Sequence, residues 1–222
     1  MDFLEFASSF TLLCLGMPLI GFMLGIFYYK SLDVVHKGIT WYLFAMVLVD
    51  ISSRILGATG NNIIGLLFYS LLEVSMFTFF YFRYFFKVKH RLVLFLFFAA
   101  CIYILYEILI FDKENMAEYQ SYAKVVDDFI IIILALTFFH EKINIFKESK
   151  WDNFRLNAVV VVFFSVNLVF FLPFNFIINK SSGYQLYFWF AIAVTILMFY
   201  SYLTYAVWKN GRTRKLLLSG LQ

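Results

Sequence analysis

Seven apolar runs of about 20 residues each, joined by short polar stretches, constrain this chain more than any other feature. They are Leu4–Tyr29, Ile39–Ala58, Ile63–Phe86, Leu92–Phe111, Tyr122–His140, Leu156–Ile178 and Tyr184–Trp208. Each is long enough to cross the hydrocarbon core of a bilayer as a helix. None alternates polar with apolar as a barrel strand does. The expected fold is therefore an all-α integral membrane protein, a single bundle of seven transmembrane helices over residues 1–222 with no soluble domain.

Composition agrees. Of 222 residues, 63% are hydrophobic and 14% charged, and 31 are Phe. Soluble domains run near 25% charged, and a water-soluble fold of this length lacks the polar surface to cover so much apolar side chain. The net charge of +4 makes no case for nucleic acid. The first run is preceded by Asp2 and Glu5 rather than a basic leader, so a cleavable signal is not expected.

Basic residues set the expected orientation. Fourteen of the 18 fall on one side: Lys30, Lys37, Arg83, Lys87, Lys89, Arg91, Lys142, Lys147, Lys150, Arg155, Lys209, Arg212, Arg214 and Lys215. Lys113, Lys124 and Lys180 fall on the other, and Arg54 lies within a run. The fourteen mark the cytoplasmic side, placing the N-terminus outside and the C-terminus inside. Trp41, Trp151 and Trp208 sit at that same boundary, as interfacial rings do. The short loops and tails suit a bacterial cytoplasmic membrane. The expected surroundings are the lipid bilayer, a cytoplasmic protein partner at the basic loops and C-terminal tail, and a second copy of the chain through Gly21 and Gly25, which form GxxxG.

Ionisable groups at membrane depth are costly and point to function. The stretch Trp41 to Phe86, two runs about the turn Gly57–Asn62, carries Asp50, Arg54 and Glu73. Asp50 and Arg54, four apart, share a helix face and pair. Glu73 lies about 12 Å from Arg54 along the axis, too far for a bond, and is expected to be the group that exchanges a proton. The three are read as a structural pair with a lone acid, as a ligand or ion site, or as a proton relay. Asp127 and Asp128 lie two turns into the fifth run, with Lys124 spaced to pair with either. With Glu107, Asp112, Glu114 and Glu118 they make the outer side acidic, a mouth favouring cations. Asn167 is placed to bond across helices or to wall a pocket, with Pro173 kinking the sixth run. The candidate ligand- or ion-binding set is thus Asp50, Arg54, Glu73, Asn167, Asp127 and Asp128.

Other chemistry finds little support. Cys14 and Cys101 lie in separate apolar runs, with no redox or zinc spacing. His36, His90 and His140 share the cytoplasmic side but match no ligand motif, so no metal and no cofactor is expected. No nucleophile with a base marks a lipid enzyme. Asn179-Lys180-Ser181 matches a glycosylation acceptor. The leading expectation is a sensory or partner-regulating bundle with a polar cavity in its outer half. The alternative is a small transporter or channel using Asp50, Arg54 and Glu73 for an ion or polar solute.

Overall fold

The computed structural model describes residues 3–58, 62–111, 121–144, 153–173 and 185–219. Among them are seven α-helices and no strand: α1 Phe3–Phe27, α2 Val34–Ala58, α3 Asn62–Phe80, α4 Arg91–Ile110, α5 Ala123–Asn144, α6 Phe154–Phe171 and α7 Gln185–Ser219. Each expected run coincides with one helix. Six of the seven are long and apolar enough to cross a membrane. The exception is α5, whose apolar sequence is bracketed by Lys124, Asp127 and Asp128 near one end and Glu141 and Lys142 at the other. Lys113, Asp112, Glu114, Glu118, Lys147, Lys150, Trp151, Asn175, the 179–181 acceptor and the centre of the 57–62 turn lie outside the described residues.

The chain divides into two compact units, one of residues 1–54 with 189–222 and the other of 55–188. In the first, Gly21 presses its bare backbone against Thr204 and Leu43, and Gly25 against Thr40. The GxxxG spacing therefore serves contacts within this unit, since any Cβ at either position would collide. Pro18 lies inside α1, which continues through it, and the Thr204 hydroxyl donates to the neighbouring Met17 carbonyl at 3.0 Å.

Asp33 starts α2. Its carboxylate accepts the His36 backbone N–H at 2.8 Å, capping the first turn, and the Asn210 amide at 2.8 Å. The His36 ring lies 2.8 Å away as well. Burial pushes this carboxyl up, but the hydrogen bonds from His36 and Asn210 and the His36 charge outweigh it and hold it at about 2.

The second unit is built from α3, α4, α5 and α6. The end of α3 widens into a π-helical turn, Tyr81–Phe85, where the Phe86 N–H reaches back to the Tyr81 carbonyl at 2.9 Å. Widened turns of this kind often mark functional positions. This one sets Tyr81 in the core, its hydroxyl donating to Asn157 Oδ1 at 2.5 Å while Asn157 Nδ2 donates to the Ala135 carbonyl at 3.0 Å. Asn153, at φ 65°, starts α6 in the left-handed conformation that asparagine tolerates. α6 is described to Phe171, and Leu172 before Pro173 keeps right-handed helical backbone with its N–H on the Leu168 carbonyl at 2.9 Å. The expected continuation of this run to Ile178, and any kink it takes at Pro173, lie outside the described residues.

Candidate functional site

The buried face of α5 repeats every three or four residues. It runs Lys124, Asp127, Asp128, Ile131, Leu134, Ala135, Phe138 and Glu141, all with little or no solvent exposure. The charged residues thus continue the apolar stripe and point into the second unit with it. Facing them are Ser70, Glu73, Val74, Phe77 and Tyr81 of α3, likewise buried. From α6 come Asn157, Val160, Phe163, Phe164, Asn167 and Phe171.

At one level of this core an ammonium sits among three carboxylates. Lys124 Nζ donates to Glu73 Oε2 at 2.6 Å, to Asp127 Oδ2 at 2.7 Å and to Asp128 Oδ1 at 2.7 Å. The Tyr69 hydroxyl donates to Glu73 Oε1 at 2.7 Å, completing that carboxylate. Rings of Tyr69 and Phe164 lie 4.9 and 5.4 Å from the ammonium. Asn167 Nδ2 approaches Asp128 Oδ1 at 3.4 Å. Asp127 Oδ1, Asp128 Oδ2 and Asn167 Oδ1 are buried with no hydrogen-bond partner. Glu73, Asp127 and Asp128 are fully buried, and Lys124 nearly so. With every group ionised, the described residues bring together three negative charges and one positive here.

Four of the six expected site residues come together here: Glu73, Asp127, Asp128 and Asn167. Asp50 and Arg54 belong to the first unit and pair there, as their spacing required, with Arg54 Nε 2.6 Å from Asp50 Oδ2. Arg54 also donates to the Thr11 carbonyl at 2.9 Å. Both side chains are about one-third exposed, at 38% for Arg54 and 33% for Asp50, unlike Glu73 at 0%. Glu73 is not the acid without a cation that the sequence suggested. Lys124 supplies it, from a residue placed by its loop-side position among the outer basic residues. The signal for Lys124 was available in the register of α5, which sets it on the same face as the apolar core.

The unit holds two further carboxylate stations. Glu107 near the end of α4 accepts the Ser121 hydroxyl at 2.5 Å and the Tyr122 N–H at 3.0 Å, fixing the chain where α5 begins. Glu141, towards the far end of α5, accepts the Lys87 N–H at 2.7 Å and lies 3.1 Å from His90 Nε2. Between the Lys124 cluster and Glu141 the core alternates. The rings of Phe77 and Phe164 meet edge to face at 5.0 Å, then come Tyr81 and Asn157, then Phe85 against Phe138 at 4.9 Å.

No family model, curated protein or solved structure matches this chain. The site is therefore read from its chemistry alone.

Proposed function

We propose that this chain is a small membrane protein of the bacterial cytoplasmic membrane that carries a cation, protons included, through its second unit. The Lys124 cluster is the carrying site. One observation supports this above the others: among the described residues, three buried carboxylates meet one ammonium. Two negative charges in an apolar interior demand neutralisation, because an unpaired buried charge costs several kcal/mol. A site that must take up positive charge to be stable, and release it to reset, is what a cation carrier needs. The alternation of polar and aromatic layers gives such a cation successive stations, with Phe77 and Phe164 as a closed apolar step between the cluster and Tyr81.

A direct test uses the purified protein in liposomes holding a trapped pH-sensitive dye, with sodium present on both sides. An imposed pH gradient should decay faster through the wild-type protein than through a D127N/D128N variant. Equal decay in the two would overturn the proposal.

The signalling reading draws on a different feature. Arg212, Arg214 and Lys215 stand exposed on the last turns of α7, where an acidic cytoplasmic partner would bind. Under that reading the same charge change is reported to the partner, and the pH gradient decays no faster than in empty liposomes.

A further inference from the structure

We propose that the cluster holds one alkali-metal ion of the sodium class, seated against Asp127 Oδ1, Asp128 Oδ2 and Asn167 Oδ1. This rests on reading the cluster as a cation site and names what it takes.

Each aspartate spends one oxygen on Lys124 and leaves the other unpartnered in the core. Lys124 therefore does not saturate its own ligands. Asn167 is the independent witness. It is 1% exposed, its amide nitrogen turned to Asp128 and its amide oxygen left without a donor. An amide oxygen does not take up a proton at ordinary pH, so it requires either a donor or a metal. One cation satisfies all three oxygens at once.

The donor set is all oxygen, which suits hard cations. Charge then selects among them. Dehydration cost grows as the square of the charge, and calcium draws on six to eight oxygens. Three protein oxygens beside an ammonium fall short of that. A monovalent ion is the better match.

The test is thermal unfolding of the full-length protein in detergent, with sodium chloride titrated against choline chloride at constant ionic strength and mildly alkaline pH. Lithium, potassium, magnesium and calcium chlorides are run alongside. The midpoint should rise with the logarithm of sodium concentration and not with choline, because a ligand that binds only the folded state stabilises it by mass action. N167A should move the sodium response to at least about tenfold higher concentration. If that variant fails to fold, the wild-type titration still decides. A midpoint that follows pH but no alkali ion would overturn the metal and leave the carrier of protons standing. A response to calcium or magnesium alone would also overturn it. Indifference to ions and to pH alike would remove the cation-site reading together with this inference.

Discussion

Lys124 on α5 lies 2.6 Å from Glu73 on α3, 51 residues earlier in the chain, and both are buried. Their bond ties two core helices together and brings Asp127 and Asp128 into the same polar knot. Charge, rather than volume, is the sensitive quantity at this position. Substitutions that remove negative charge should be tolerated, and those that remove the positive charge should not.

Lys124→Met leaves three buried carboxylates without their ammonium. Breaking one partner out of a buried ion pair costs about 3–5 kcal/mol. Glu73→Gln instead keeps the shape and removes one of the excess negative charges. Thermal unfolding in detergent should show a large loss for K124M and little or none for E73Q. The opposite order would contradict the charge count.

Asp50 and Arg54 should behave as a modest pair at the edge of the first unit. Arg54→Leu strands Asp50 and frees the Thr11 carbonyl, so it should be more damaging than D50N/R54L together. The coupling is expected at about 1 kcal/mol or less, given that both side chains are partly exposed. Unfolding midpoints of the three variants form the cycle. A double variant as damaged as the sum of its singles would show the pair is not coupled.

Gly25→Val puts a branched side chain onto Thr40. Overpacking of this kind costs about 1–3 kcal/mol. Gly16, whose Cβ would meet nothing, should accept Ala with far less effect. Parallel unfolding curves of G25V and G16A test this, and equal stability would argue against the close α1–α2 approach.

Much of this arrangement was legible in the sequence. Apolar length alone located all seven helices, though not all their ends, because a run of about 20 apolar residues leaves a helix no alternative. The Asp50–Arg54 pair followed from spacing four on one helix. The reach of α7 to Ser219, past the expected end at Trp208, was missed because Lys209 to Lys215 break the apolar run. The Glu73–Lys124 bond was missed for another reason. It joins separate helices, and no local spacing encodes it. The register of Lys124, Asp127 and Asp128 with Ile131 and Ala135 was readable, but it shows only which face is buried and not what lies opposite.

Asp33 offers a pH test outside the apolar runs. Its folded carboxyl sits at about 2 against an ordinary 3.8. The unfolded chain therefore binds the proton more readily, and this stabilisation is fully present above about 3.8 and lost as pH falls towards 2. Asp33→Asn should flatten that part of the curve while lowering stability at neutral pH. Unfolding midpoints of wild type and D33N between these limits should converge as pH falls. A constant gap would show the cap is not electrostatic.

Orientation is tested by reporter fusions. A reporter after Gln222 and one inserted between Asp112 and Ser121 should lie on opposite sides of the membrane, with Gln222 cytoplasmic. The same side for both would reject the seven-span topology.

The central claim is that excess negative charge in the Lys124 cluster is neutralised by exchangeable positive charge. Infrared spectroscopy reads this directly, since a neutral carboxyl and a carboxylate absorb separately. In sodium-free buffer the wild-type protein should show a buried neutral carboxyl signal that D127N/D128N abolishes, and added sodium should diminish it. A wild-type spectrum with no neutral carboxyl in sodium-free buffer, the same as that of the variant, would contradict the account.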